Sequence, residues 1–195
     1  MNFLAHLNLS GNNKNIMISN FIPDHVIGNQ FGHYHEEIQQ GIFLHREIDT
    51  FTDTHKIVRK SKWRLHERYR HYDGVIIDIF YDYYLAKNWS KYSKTSLEIF
   101  SKSVYDLLIE NHDILPMKSQ YFTKHMIENN LLYNYQFEDR IGMVLKGMNH
   151  KTKWKSQMDL AIEDLKIHHQ KFEKDFTLFF KDLEDFTSQK IKNLH

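Results

Sequence analysis

Histidine and carboxylate side chains stand at helical spacing in the stretch G-I-F-L-H-R-E-I-D-T-F-T-D, residues 41 to 53. His45, Asp49 and Asp53 follow one another at intervals of four residues and therefore share one face of a helix. About 6 Å of helix axis separates His45 from Asp49, so both can bind one metal ion, whereas Asp53 lies about 12 Å from His45. Asp53 is then a group that supports the site, a ligand of a second ion or a surface acid. The alternative for His45 and Asp49 is an ordinary pair on a solvated helix face.

A second stretch, G-V-I-I-D-I-F-Y-D-Y-Y-L-A, places Asp78 and Asp82 four residues apart in a segment that is apolar or aromatic on nearly every side. At least one carboxylate is expected to be buried there, where it needs a proton or a cation. That cation is a metal ion or Arg46. With a metal ion, this segment faces His45 and Asp49 across a bundle core; with Arg46, it forms a structural salt bridge.

Two residues further upstream have side chains that can bind metal. His6, in F-L-A-H-L-N-L, is either a buried core histidine or a ligand. Asp24 follows Pro23 and either stabilises a helix dipole or binds an ion. The local sequence around each residue does not distinguish its structural role from metal binding.

The pattern around these residues predicts an all-α fold of about seven helices. With two prolines and seven glycines in 195 residues, few positions break a helix, and most apolar residues recur at steps of three and four. The predicted helices lie near 14 to 30, 35 to 60, 61 to 87, 95 to 112, 118 to 131, 136 to 148 and 152 to 190.

The last predicted helix carries the clearest apolar stripe. It is either a coiled-coil seam for a partner or the face of a long helix that covers the core, and its phenylalanines favour the second interpretation. The stripe consists of Met158, Ile162, Leu165, His169, Phe172, Phe176, Phe179, Leu183 and Phe186.

Composition indicates one globular domain over residues 1 to 195, since 41% of the residues are hydrophobic and 14% are aromatic. The 26 Lys and Arg nearly balance the 25 Asp and Glu, so no overall field favours nucleic acid or a membrane. The lack of cysteine excludes disulfides, thiolate metal sites and a cysteine nucleophile, and favours a reducing cytoplasm. The start, M-N-F-L-A-H-L-N-L-S, is too short and too polar for a signal or membrane helix.

Three separated motifs, M-N-F-L-A-H-L, G-I-F-L-H-R-E-I-D-T-F-T-D-T-H and G-V-I-I-D-I-F-Y-D-Y-Y-L-A-K-N-W, resemble the acyl carrier protein phosphodiesterases in the same order. The resemblance implies an HD-domain-like all-α fold and dependence on a divalent metal, with Mn²⁺ as the expected ion. It also implies hydrolytic release of 4'-phosphopantetheine from holo-acyl carrier protein, which gives the apo form. The polar motif positions of the family fall on His6, Asp24, His45, Arg46, Asp49, Asp53, Asp78 and Asp82.

The chain departs from the pattern of the family at several positions. Tyr83 stands where histidine is common, which puts a proton-transfer role there in doubt, and Pro23 replaces a small residue. The adjacent His-Asp pair is replaced by His45 and Arg46, with the acid one turn later.

One His-Asp dipeptide is present, His112-Asp113, and the metal phosphohydrolases of the HD superfamily are named for such a pair. It lies where a helix should end before Pro116. We therefore expect a capping or loop role and leave the pair out of the site.

Imidazole and carboxylate ligands without sulfur suit Mn²⁺, Mg²⁺ or Fe²⁺ and tolerate Zn²⁺. Such an ion polarises a phosphoryl oxygen and lowers the pKa of a water molecule for attack on phosphorus. Asp82 is expected to orient that water or to act as general base. Asp53 is also expected to be a catalytic residue. Arg46 is expected to hold a phosphate oxygen or to pair with a carboxylate. The residues expected to hold one or two ions are His6, Asp24, His45, Asp49 and Asp78.

A basic segment follows the first motif. Residues 56 to 70 contain seven Lys or Arg and one Glu in 15 positions. Acyl carrier proteins are acidic, so this surface is expected to attract one; the alternative is a solubilising helix face. The cations are Lys56, Arg59, Lys60, Lys62, Arg64, Arg68 and Arg70.

Three functions fit these patterns. The first is a metal-dependent phosphodiesterase acting on holo-acyl carrier protein. The second is an HD-type phosphohydrolase of a nucleotide or another small phosphoester. The third is a non-catalytic helical interaction module that uses the basic segment and the apolar stripe. Bound metal separates the third from the first two, and salt-sensitive action on a protein substrate separates the first from the second.

Overall fold

The computed structural model describes residues 2 to 23 and 31 to 193. In these two ranges the chain forms eleven α-helices and no β-strand, which confirms the predicted all-α fold. The helices are α1 (Phe3–Leu9), α2 (Lys14–Phe21), α3 (Glu36–Thr54), α4 (Lys56–Tyr69), α5 (Asp73–Lys87), α6 (Leu97–Glu110), α7 (Met117–Glu128), α8 (Leu131–Asn134), α9 (Glu138–Lys151), α10 (Ala161–Ile167) and α11 (His169–Lys192).

The predicted number of about seven helices was too low, because breaks inside the predicted helices add two helices and the short helices α1 and α8 were not predicted. The helix predicted over 35 to 60 ends at Thr54, where the Nδ1 of His55 accepts a hydrogen bond from the amide of Ile57 and begins α4. The helix predicted over 61 to 87 is interrupted at Arg70, whose φ of 49° lies in the left-handed region. The helix predicted over 152 to 190 begins only at Ala161 and is divided at His168. None of these breaks has a Pro or Gly signal in the sequence.

Two further differences concern the amino-terminal part. The helix α1 was not predicted, and it is only seven residues long. The helix α2 ends at Phe21, and residues 24 to 30 of its predicted range lie outside the described residues. The remaining predicted helices correspond to α6, α7 and α9 within a few residues.

The helix α5 lies at the centre of the fold and packs against α1, α4, α9 and α11. From Ile76 to Ala86 every residue of α5 except Asp78 is buried. The helix α11 places Phe172, Phe176 and Leu183 on this core, as expected for a stripe that covers the interior.

The helices α2 and α3 approach each other closely at Gly41. A Cβ at Gly41 would lie 2.3 Å from the Cβ of Ser19, so a larger residue requires one helix to move. This approach places the end of α2 beside the middle of α3, where His45 is located.

None of the helices in the described ranges is both long enough and apolar enough to cross a membrane.

Candidate metal centre

His6 from α1 and His45 and Asp49 from α3 converge on one point. The Nε2 of His6 lies 3.1 Å from Oδ1 of Asp49, and the Nε2 of His45 lies 3.2 Å from Oδ2 of the same carboxylate. One ligand atom from each of the three residues lies within 4.8 Å of the others. Two imidazoles and one carboxylate in this arrangement can bind a divalent cation.

The hydrogen bond on the far side of His45 indicates which ring nitrogen can bind a metal. Its Nδ1 lies 3.1 Å from the backbone oxygen of Asn20. A carbonyl oxygen only accepts hydrogen bonds, so Nδ1 carries the hydrogen and the neutral ring has its lone pair on Nε2. That lone pair faces the carboxylate of Asp49, and two acceptors at this distance need a cation or a proton between them. A hydrogen bond from the other ring nitrogen to a backbone carbonyl is typical of metal-binding histidines.

His6 is buried, with 2% of its surface exposed. Burial lowers the pKa of His6 to about 3, and the neighbouring His45 acts in the same direction. The ring is therefore neutral at ordinary pH, which is the form that binds metals. Among the described residues its buried Nδ1 has no hydrogen-bond partner, so the polar contacts of the ring are on the Asp49 side.

Asp49 supplies the negative charge. Partial burial by itself would raise the pKa of its carboxyl, but its contacts with His45 and His6, each of which can share a proton with the carboxylate, outweigh this effect and lower the pKa. The carboxylate is 42% exposed and lines a large cavity, so it connects the two buried histidines with solvent.

Asp82 lies behind α1 and is fully buried. Its Oδ2 accepts a hydrogen bond of 2.8 Å from the amide of Leu4, and its Oδ1 accepts one of 3.1 Å from the amide of Ala5. These amides belong to the first turn of α1, where no intrahelical acceptor is available. Burial raises the pKa of Asp82 to about 7. Asp82 therefore fixes the helix that carries His6, and both its oxygens are engaged there.

The other predicted acids are placed differently. Asp78 lines the cavity and is partly buried; burial raises the pKa of its carboxyl, and the charge of Asp49 adds to this effect. Asp53 is exposed and forms a 2.7 Å ion pair with Lys62. Asp24 lies outside the described residues.

Four further residues that the sequence singled out have defined positions in the structure. The guanidinium of Arg46 lies over the ring of Phe31, 5.0 Å from its centroid. Tyr83 donates a hydrogen bond of 3.1 Å to Glu138, away from the two histidines. His112 and Asp113 lie in an exposed turn after α6, so the predicted loop role is confirmed.

The cavity next to Asp49 has a volume of about 990 Å³. Asp49, Asp53 and Asp78 line one part of it, and cations from α7 and α9 line another. Its remaining wall is largely apolar and includes Phe3, Phe122, Leu131, Val144 and Met148. A cavity of this size accepts a ligand much larger than a phosphate ion.

The basic segment on α4 is largely engaged in ion pairs within the chain. Lys60 and Arg64 bind the buried Asp175 at 3.1 and 2.5 Å. Lys62 binds Asp53. Arg68 lies 3.4 Å from Asp164, and in the described residues Lys56, Arg59 and Arg70 have no ion-pair partner.

Two parts of the site were not predicted from the sequence. The backbone oxygen of Asn20 carries no side-chain signal, so only the contact of α2 with α3 shows it. The cations of the cavity, Lys118, Arg140 and Lys151, lie on helices without a recognisable motif, where they look like ordinary surface residues.

Comparisons with known proteins place the chain in one family. The family model described as acyl carrier protein phosphodiesterase matches residues 1–183. A protein of Photorhabdus laumondii named acyl carrier protein phosphodiesterase is 31% identical over 92% of this chain and 91% of its own length. A protein of Yersinia enterocolitica with the same name is 29% identical over 92% of this chain and 94% of its own length. No solved structure matches the chain.

Proposed function

Because the chain belongs to the acyl carrier protein phosphodiesterase family, we propose that it hydrolyses the phosphodiester that joins 4'-phosphopantetheine to holo-acyl carrier protein, with a divalent metal as cofactor. The products are apo-acyl carrier protein and free 4'-phosphopantetheine. The observation that carries the proposal is the convergence of His6, His45 and Asp49 beside a cavity large enough for the prosthetic group.

The donor set fits a divalent ion. Nitrogen and oxygen ligands without sulfur suit Mn²⁺, which we propose as the ion, and also suit Mg²⁺ or Fe²⁺. When bound, such an ion supplies Lewis-acid polarisation of a phosphoryl oxygen and lowers the pKa of a water molecule. His6, His45 and Asp49 would hold it, and Asp78, which lines the same cavity, would be a further ligand.

The reaction breaks the bond between phosphorus and the serine oxygen of the carrier. The oxygen of water forms the new bond to phosphorus, its proton is released, and the serine oxygen gains a proton as it leaves. Two contacts within the chain position the histidines that would hold the ion. The carbonyl of Asn20 orients His45, and Asp82 fixes the first turn of α1 and with it His6. The apolar cavity wall limits the number of water molecules near the phosphodiester.

Intact-mass spectrometry of holo-acyl carrier protein tests this proposal. Incubation with the protein and Mn²⁺ should convert the carrier to its apo mass, and incubation with a chelator should leave the holo mass unchanged. Conversion that is unaffected by chelator would exclude the metal-dependent reaction. No conversion with a metal-loaded protein would exclude this substrate and favour a small phosphoester.

A further inference from the structure

The mouth of the 990 Å³ cavity is formed by a different part of the chain from its metal-binding end. Apart from Asp53, every exposed residue that lines the cavity lies on α7, on α9 or in the turn after α7. The residues near the candidate metal centre, such as Asp49 and Asp78, are partly buried. A large substrate that enters the cavity therefore contacts α7 and α9.

The rim of this mouth is cationic. Arg140 and Lys151 lie on the same face of α9, eleven residues apart, which is about 16 Å along the helix. Lys118 on α7 adds a third positive charge to the lining of the same cavity. Three cations over this distance match the length of about three turns of a partner helix.

These cations have their charge available for a partner. Within the described ranges no ion pair engages Lys118 or Lys151. Arg140 forms an ion pair there only with the exposed Asp139 next to it, at 3.5 Å, and its Nη1 lies 3.9 Å from the Sδ of Met143. On α4, by contrast, Lys60 and Arg64 are both held by Asp175.

Exposed apolar side chains lie between the cations. Tyr121 is 73% exposed and Met143 is 60% exposed, and both line the cavity. Tyr, Met and Arg are enriched at protein interfaces, whereas a pocket for a small phosphoester has no need of such a rim.

We propose that the rim formed by Lys118, Tyr121, Arg140, Met143 and Lys151 is the surface on which an acidic acyl carrier protein docks, while its phosphodiester-linked arm enters the cavity. This inference rests on the proposed function. It assigns carrier recognition to α7 and α9 instead of to the basic segment on α4. Opposite charges on the two proteins would guide their association and set the orientation in which the arm enters.

The test measures binding of apo-acyl carrier protein, which needs no hydrolysis, by isothermal titration at low salt. The double variant K118E/K151E should weaken binding at least tenfold and raise the KM for holo-acyl carrier protein, while its Mn²⁺ content and thermal stability match those of the wild type. The variant K102E/K146E is the matched control, because it changes the net charge equally at exposed lysines of α6 and α9 outside the cavity lining. Its affinity should stay within twofold of the wild type.

Three results would overturn the assignment. The first is an equal loss of affinity in K118E/K151E and K102E/K146E, which would indicate a general charge effect. The second is a loss in K56E/R59E without one in K118E/K151E, which would return recognition to α4. The third is the absence of carrier binding by the wild type. All three results are measured as binding and need no turnover. Failure of the proposed hydrolysis is detected separately, by the mass of the holo carrier after incubation.

Discussion

His6 on α1 and His45 on α3 stack their imidazole rings with the centroids 3.9 Å apart and the planes 15° from parallel. Both rings direct Nε2 to the same carboxylate, that of Asp49. The candidate centre therefore depends on the position of α1, and two hydrogen bonds to Asp82 fix that position. A substitution of Asp82 can therefore displace α1 and weaken metal binding although no ligand is removed.

Replacement of Asp49 by Asn keeps the shape of the side chain and removes its negative charge. We expect Mn²⁺ affinity to fall about 100-fold or more and turnover to fall by orders of magnitude, since an anionic ligand is lost. The matched control is Asp53→Asn, one helical turn further and paired with Lys62, which should retain Mn²⁺ affinity within about threefold. Titration with Mn²⁺ measures the affinity of each purified variant. Equal losses of Mn²⁺ affinity in the two variants would remove Asp49 from the ligand set.

Replacement of Asp82 by Asn should change how stability depends on pH. The pKa of Asp82 is raised from 3.8 to about 7, so the folded protein binds this proton more tightly than the unfolded chain. Its contribution to stability is therefore complete below about pH 4 and is lost as the pH rises to about 7, with an upper limit of about 4 kcal/mol. Asp82→Asn should remove this loss, so the free energy of unfolding of the variant should decline less than that of the wild type over the same range.

The pH dependence is measured by urea unfolding of both proteins between pH 4 and 8. Asn also replaces one of the two acceptor oxygens by a donor, which lowers stability by a similar amount at every pH and leaves the slope as the informative quantity. Parallel curves for variant and wild type would show that Asp82 does not titrate in this range.

Replacement of Gly41 by Ala tests the close approach of α2 and α3. The new Cβ would collide with Ser19, so we expect a loss of stability of about 1–3 kcal/mol from overpacking. The shift of α2 should also displace the carbonyl of Asn20 from His45 and weaken Mn²⁺ binding. In the double variant Gly41→Ala with Ser19→Gly, both properties should recover. A single variant with unchanged stability would show that the helices can separate freely.

Replacement of Arg64 by Ala should affect stability more than substrate binding. Asp175 is buried, and Arg64, Lys60 and Ser61 all bind it, so removal of Arg64 leaves a buried carboxylate with less compensation. We expect a loss of about 2–4 kcal/mol in the free energy of unfolding. Arg59→Ala, at an exposed position of the same helix, should change stability by less than about 0.5 kcal/mol. If Arg64→Ala instead has normal stability and a raised KM for the carrier, Arg64 belongs to the docking surface.

The helical period of the sequence predicted the all-α class and the shared face of His45 and Asp49, because both follow from spacing within one helix. Helix ends were less predictable, since His55 caps α4 with a ring nitrogen and Arg70 adopts a left-handed conformation without a glycine. His6 was ambiguous by itself because only the packing of α1 on α3 distinguishes a ligand from a core histidine.

The charge pattern of α4 predicted how many cations this helix carries, but it did not predict which of them are available on the surface. Seven cations in 15 positions predicted a basic face, but Lys60, Lys62, Arg64 and Arg68 have carboxylate partners on other segments of the chain. Such long-range pairs do not appear in a linear sequence. The cavity mouth was missed for the same reason, since its cations come from two helices that line one cavity only in the folded chain.

Anomalous diffraction from crystals of the Mn²⁺-loaded protein, recorded at the manganese absorption edge, tests whether His6, His45 and Asp49 hold the metal. We expect a peak about 2 Å from the Nε2 atoms of His6 and His45 and from a carboxylate oxygen of Asp49. A peak elsewhere, or no peak at this position in protein that converts holo-acyl carrier protein to the apo form, would contradict the assignment of these residues as the metal centre.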